Sequence, residues 1–288
     1  MPSLEITTMV GCPLMCCFCP QDKLRTAYGD KTKYLSLNDF AHMLAKVPRH
    51  VRIDFSGMSE PWANPECTAM LRHTYDQGYT VAIYTTLYGM DDHNAVIGLV
   101  RDRAQQTEIV VIHLPDAKNN MRGYKPSREF DQALDNFVQF AREGRVRVDM
   151  MTMDGTSQVH PTLKHHPDLQ EWYPCSRSDN IKQDDVGAQA LPTIHHAGFS
   201  LGCSYTPHYD QNVLLPNGDV LLCCMDYGSE HVLGNLMTQD YYDLFRGAGM
   251  GQIHAENLKT DGCSICRRCD RATRYGIGGS KQRWEAIP

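Results

Sequence analysis

Apolar and polar positions alternate in two rhythms over the first ~190 residues, and the rhythms take turns. Leu4-Glu5-Ile6-Thr7-Thr8 has the β-branched and apolar content of a strand and runs into a cysteine-rich loop. Leu37, Phe40, Met43, Leu44 and Val47 then recur at helical spacing, behind Ser36 as the expected N-cap. Val51 to Ser56 is the next strand, and Asn64-Pro65 opens a second helix with Asn64 as its cap. Thr80 to Thr85 is a third strand, and Asp91 to Val100 is helical. Glu108 to Leu114 is an almost continuous apolar run, as buried parallel strands show. Phe130, Leu134, Phe137, Val138 and Ala141 make another helical face, Val146 to Met151 is a fifth strand, and a sixth is expected around Glu171-Trp172-Tyr173.

Repeated βα units imply a parallel sheet with right-handed crossovers. Periodicity does not choose between an open doubly wound sheet and a partial barrel. Either way the ligand site lies at the carboxyl ends of the strands, where the cysteine loop also falls. After residue ~190 the rhythm stops, so the expected domains are 1–190 and 191–288. Asn212 to Leu215 and Val220 to Cys223 read as a hairpin around Pro216-Asn217-Gly218-Asp219. A short helix follows near Tyr241 to Arg246, and a loose polar tail starts at Gly276.

Composition narrows the function classes. The 28 basic and 34 acidic residues give a formal charge of −6, and no basic run suggests a nucleic-acid track. No run of some 18 apolar residues is present to span a membrane, and the first residues lack a signal-peptide pattern. The expected setting is therefore a reducing cytoplasm, where clustered cysteines bind metal more often than they form disulfides. The chain has 12 cysteines, and four of them fall within residues 12–19.

Cys12, Cys16 and Cys19 stand at CxxxCxxC spacing. Thiolates suit iron–sulfur clusters and zinc. Three thiolates on a 4Fe–4S cube leave one iron open to a further ligand. Cys17 reads as a packed bystander. The stretch Cys12-Pro13-Leu14-Met15-Cys16-Cys17-Phe18-Cys19 after a first strand resembles the cluster loop of the radical S-adenosylmethionine (radical SAM) superfamily, with the aromatic Phe18 before the third cysteine. Ser56-Gly57-Met58-Ser59-Glu60-Pro61 resembles that family's GGEP segment, with serines in place of glycine. The resemblance implies a partial (β/α)6 barrel. It also implies a 4Fe–4S cluster on the three cysteines and S-adenosyl-L-methionine held near the GGEP-like turn. Thr85, Thr86, His113 and Asp116, at the ends of the third and fourth strands, are further candidates for cofactor contact or for loop capping.

The later cysteines also resemble a known pattern. Cys203, Gly218 and Cys223, followed by Cys263-Ser264-Ile265-Cys266-Arg267-Arg268-Cys269, resemble the SPASM/twitch extension of radical SAM enzymes. Leu233-Gly234-Asn235-Leu236 resembles its LGNL, and Cys175 to Asn180 the SRAGN loop before it. The resemblance implies one auxiliary 4Fe–4S cluster on Cys203, Cys223 and two of Cys263, Cys266 and Cys269. It implies hydrogen abstraction by a 5′-deoxyadenosyl radical, with a flavodoxin- or ferredoxin-type external reductant. Dehydrogenation of a small polar metabolite is the expected reaction, with peptide maturation as the alternative. A non-catalytic zinc or iron–sulfur binding module is the rival from another class. No catalytic acid or base is assigned. The 13 histidines, His165-His166 and His195-His196 among them, show no metal-site spacing and are expected mostly at the surface.

Overall fold

The structure, a computed structural model, describes residues 2–152, 158–163, 169–170, 175–181, 196–203 and 210–275. Its frame is an open eight-stranded sheet. Strands β1 (Ser3–Ile6), β2 (Arg52–Phe55), β3 (Val81–Thr85), β4 (Thr107–His113) and β5 (Val148–Met151) lie side by side and parallel. Gln170 makes a parallel bridge to Met151, extending the sheet beyond β5, while residues 171–173 of the expected sixth strand lie outside the described residues. His165, His166, His195 and the expected tail from Gly276 also lie outside them.

The hairpin β7 (Asn212–Leu214) and β8 (Asp219–Leu221) forms as its Asn-Gly turn predicts, and β9 (Val232–Asn235) adds a third antiparallel strand. The sequence pattern did not show where the hairpin docks. β7 pairs parallel with β1, Leu4 against Asn212 and Ile6 against Leu214, so strands from both sides of residue 190 share one sheet. A separate antiparallel pair joins β6 (Ser200–Cys203) to β10 (Ala272–Tyr275).

Pairing register sorts the parallel strands into two faces. Leu4, Ile6, Ile53, Phe55, Val81, Ile83, Val110 and Ile112 are buried in the main core against the helices. The helices pack there because their apolar stripes match: α2 (Leu37–Leu44) buries Phe40, Met43 and Leu44, and α5 (Arg128–Arg142) buries Ala133, Leu134, Phe137 and Phe140. Both begin at serine caps, Ser36 accepting from Asp39 N and Ser127 from Phe130 N. The helix expected from Asn64 starts later, as α3 (Cys67–Asp76), after a 3-10 turn at Pro61–Ala63. Asn64 serves both ends: Oδ1 accepts from Glu66 N at 2.9 Å just before the helix, and Nδ2 donates to the carbonyls of Thr8 and Leu35 at 2.8 Å each. α4 (His93–Asp102) lies between α3 and α5 in the chain.

Two helices have too few apolar residues to be read from periodicity. α1 (Gln21–Tyr28) buries only Gln21, Leu24 and Tyr28, and the glycine-bearing α7 (Ala248–Leu258) buries Met250, Ile253 and Asn257. α6 (Tyr241–Arg246) forms where expected. Among the described residues no helix is long and apolar enough to cross a membrane.

Candidate cofactor and cluster site

The second face of the parallel strands carries the chemistry. Parallel partners share a face, so register places Glu5 beside Asp54, Asp54 beside Ala82, Tyr84 beside Val111 and His113 beside Met151. Glu5, Asp54, Tyr84, His113 and Met151 all line one cavity of about 250 Å³ at the carboxyl ends of these strands. Cys12, Cys16, Cys19 and Phe18 line it too, with Ser56, Gly57, Ser59, Glu60, Thr85 and Thr86.

The cysteine loop is clamped from the side by the loop after β4. Cys17 N donates to Asn120 O at 2.9 Å, Gly123 N donates to Leu14 O at 2.6 Å, and Cys16 bridges to Met121. The Cys17 thiol donates to the Asn120 side-chain oxygen at 3.2 Å, and Cys17 is not among the residues that line the cavity. Phe18 is buried against Ile181, Cys16, Cys17 and Met151. Gln21 Nε2 donates to Cys19 Sγ at 3.2 Å, and the Tyr227 hydroxyl stands 3.3 Å from the same sulfur.

The GGEP-like turn folds against β1. Gly57 has φ +64°, and a Cβ there would stand 2.4 Å from Thr7 Oγ1 and 2.7 Å from Thr7 N. Only glycine fits that approach. Glu60 is buried, and its carboxylate accepts from Trp62 N, Thr85 Oγ1, Thr86 N and Thr86 Oγ1 at 2.6–3.2 Å. Burial pushes its pKa up, against these donors. Thr85 and Thr86 thus hold Glu60, a contact the sequence reading did not foresee. Met58 and Pro61 are buried off the cavity, Met58 among Val10, Leu24 and Tyr28. Asp116 is also off it and accepts from Lys118 N and Asn120 N in the loop after β4. His113 is driven down to about 4 by burial and by the Arg177 charge, which leaves a neutral imidazole in the cavity.

A second, smaller cavity of about 30 Å³ gathers the later cysteines. Cys203, Cys223, Cys266 and Cys269 line it, with Cys224. Cys263 does not; it is exposed, with its thiol 3.4 Å from Glu256 Oε2. The loop between Cys266 and Cys269 is anchored by Arg267, whose buried guanidinium donates to the carbonyls of His196, Phe199, Glu256 and Lys259. His196 is buried rather than at the surface, with Nε2 2.9 Å from Cys269 O. Asn257 Nδ2 donates to Cys266 Sγ at 3.5 Å and Arg271 N to Cys269 Sγ at 3.4 Å.

The donor sets fit iron–sulfur clusters. In both groups burial raises the thiols, Cys12 and Cys266 to about 11 and Cys16 and Cys223 well above the usual range, and neighbouring cysteine charges add to it. Thiolates packed this way need a cationic centre between them. Three sulfurs of the cysteine loop line the first cavity and, besides Cys224, four of the later ones line the second, the ligand numbers of a cube with one open iron and of a fully ligated one. The donors to Cys19, Cys266 and Cys269 are of the kind that tune such clusters. The two cavities share a wall made of Gln211, Cys224, Met225 and Arg271.

Several lining residues escaped the sequence reading: Glu5, Asp54, Tyr84, Arg177, Gln211 and Tyr227. The acids had a visible signal, since each interrupts a buried apolar strand, Leu4-Glu5-Ile6 and Ile53-Asp54-Phe55. Arg177 had only its place in the SRAGN-like loop. There Arg177, Ser178 and Asp179 all take left-handed φ values of 50°, 55° and 62°, and Asn180 Nδ2 ties the turn to Arg177 O and Met225 O. Three such residues in a row are strained, and the surrounding bonds hold them.

Comparison with known proteins agrees with this geometry. Residues 203–270 match the family model of the SPASM domain, an iron-sulfur cluster-binding domain. No curated protein matches the chain in sequence. Among solved structures, BtrN in complex with AdoMet and 2-DOIA is 13% identical with a TM-score of 0.53, over 96% of this chain and 97% of that one. Native anSMEcpe with bound AdoMet is 14% identical with a TM-score of 0.55, over 93% and 88%. SuiB of Streptococcus suis bound to S-adenosylmethionine is 15% identical with a TM-score of 0.52, over 92% and 73%. SuiB is also similar in its form bound to the precursor peptide SuiA. At these identities the likeness establishes the fold: a parallel α/β sheet of the radical SAM kind with a SPASM segment behind it.

Proposed function

We propose that this protein is a radical SAM enzyme that oxidises a small polar metabolite, with one auxiliary cluster as electron acceptor. The observation that carries the reading is the pair of thiol-lined cavities with a common wall at Gln211, Cys224, Met225 and Arg271. Cys12, Cys16 and Cys19 would hold the first 4Fe–4S cluster, leaving an iron for S-adenosylmethionine. Cys203, Cys223, Cys266 and Cys269 would hold the auxiliary cluster, with Cys263 outside the set. When bound, these groups supply the redox chemistry: a 5′-deoxyadenosyl radical that takes hydrogen from substrate, and a sink for the remaining electron.

The chain's own residues do the positioning. Glu60, fixed by Thr85 and Thr86, ends the turn of Ser56, Gly57 and Ser59, and together they would bind the methionine end of the cofactor. The neutral His113 and Tyr84 give the cavity a polar wall. Residues 1–190 would serve the cofactor and 191–288 the auxiliary cluster. An external one-electron reductant of flavodoxin or ferredoxin type would reduce the first cluster, in a reducing cytoplasm that suits 12 free cysteines. A peptide substrate is the second reading, favoured by the likeness to SuiB in its peptide-bound form.

Anaerobic reconstitution tests the proposal. Two filled sites give about eight iron and eight sulfide per chain. Dithionite should then release 5′-deoxyadenosine from S-adenosylmethionine, and Cys12→Ala, Cys16→Ala or Cys19→Ala should abolish that release. Zinc uptake without cleavage would overturn the reading.

A further inference from the structure

The large cavity holds three buried acids, and two of them are already matched. Glu60 accepts four hydrogen bonds, from Trp62, Thr85 and Thr86. Asp54 is gripped by Arg52, Nε to Oδ1 at 2.6 Å and the terminal nitrogen to Oδ2 at 2.8 Å. Glu5 differs. It is 8% exposed, lines the cavity, and stands directly opposite Asp54 in the β1–β2 register. Its side-chain neighbours are Ser56 and Cys224. The buried Ser56 hydroxyl has no hydrogen-bond partner by geometry among the described residues, and burial keeps Cys224 a neutral thiol. Arg177 acts on Glu5 through its charge but lays its guanidinium against the sulfurs of Cys224 and Met225, at 4.0 Å each.

A buried carboxyl beside a second carboxylate costs folding free energy unless something else uses it. Burial and the Asp54 charge raise Glu5 to about 8. A ligand cation placed against Glu5 reduces that penalty, because it adds a direct partner to the charge of Arg177, whose guanidinium lies against the Cys224 and Met225 sulfurs.

We propose that Glu5 is the docking point for a substrate ammonium group, separate from the turn that would hold the cofactor, so that the substrate class is a small, amine-bearing polar molecule. This rests on the reading of the cavity as a substrate site. The groups that set the charge there are Asp54 and its partner Arg52 on β2, Arg177 on its loop, Cys224 after β8 and His113 on β4. At neutral pH Glu5 is largely protonated, so docking an ammonium ion ionises it and releases its proton.

The test is calorimetric, on reconstituted holoenzyme loaded with S-adenosylmethionine. The probes are two matched pairs, D-glucosamine with D-glucose and cyclohexylamine with cyclohexanol. The amine of at least one pair should bind about ten-fold or more tightly than its alcohol, the preference a buried charged hydrogen bond gives. Titration in buffers of different ionisation enthalpy should show proton release approaching one per amine bound. Glu5→Gln, which is isosteric and removes the charge, should abolish both the preference and the release. Glu5→Asp, which keeps the charge on a shorter arm, should retain the release with weaker binding, and carries the test if Glu5→Gln does not fold. Equal binding within both pairs, no amine binding at tens of millimolar, or an unchanged preference in Glu5→Gln would each overturn the subsite. 5′-Deoxyadenosine release by the wild-type protein is read in parallel. Release without amine preference overturns the subsite and leaves the enzyme reading intact. Amine preference without release supports the subsite and overturns the catalytic reading.

Discussion

Glu5 ties the cavity to the pH dependence of the fold's stability. Its carboxyl is raised from 4.5 to about 8, so the native state holds the proton more tightly than the unfolded chain does. Its contribution is therefore intact below about pH 4.5, is lost as pH rises toward 8, and changes little above that. At about 1.4 kcal/mol per pH unit, the loss is about 5 kcal/mol. Glu5→Gln cannot ionise, so its denaturant midpoint should exceed the wild-type midpoint increasingly between pH 5.5 and 8.5. A pH-independent difference would mean Glu5 is solvated. The cysteines give a second prediction at this scale. Cys263→Ser should keep a full iron complement, because Cys263 faces Glu256 at the surface. Cys223→Ser or Cys266→Ser should lose about four irons per chain while reductive S-adenosylmethionine cleavage persists. Iron analysis and 5′-deoxyadenosine assay separate these outcomes. The CxxxCxxC spacing was legible without a structure because ligands on one loop are close in sequence. The choice among Cys263, Cys266 and Cys269 was not, because it depends on Arg267 drawing its loop inward.

Elements position the site through contacts distant in sequence. The loop after β4 presses on the cysteine loop so closely that a Cβ at Gly123 would stand 2.3 Å from Pro13 O and 2.7 Å from Leu14 Cα. Neither atom is the end of a flexible side chain, so Gly123→Ala must push the loops apart. The variant should fold, fill the rear cluster, and bind roughly half the iron of the wild type, read by iron analysis and visible absorbance; a full complement would show the clamp to be dispensable. Strands β1 to β5 were readable because each is an apolar run bounded by polar turns. α1 and α7 were not, because short helices with three buried residues are stabilised by what they pack on rather than by their own pattern. The start of α3 falls later than expected for a related reason: Asn64 caps Glu66 N, but its amide also joins Thr8 and Leu35, and the helix begins only at Cys67.

The whole molecule is tied together by the docking of β7 on β1. A hairpin is a local event that its turn residues announce, but its docking edge is not written in them. Because β7 covers β1, a chain ended at residue 190 leaves a strand with Leu4 and Ile6 as an open edge. Such a fragment should aggregate, by light scattering and size-exclusion chromatography, where the full chain stays monodisperse; a monodisperse fragment would show that the front half folds alone. The same contact fixes a sequence of events during translation. Ser3 must wait for Asp210, 207 residues later, before its hydroxyl finds its acceptor. Through most of synthesis the nascent chain therefore carries an unfinished sheet beside its front cysteines, and the β1 edge is covered only once residues 212–214 have emerged.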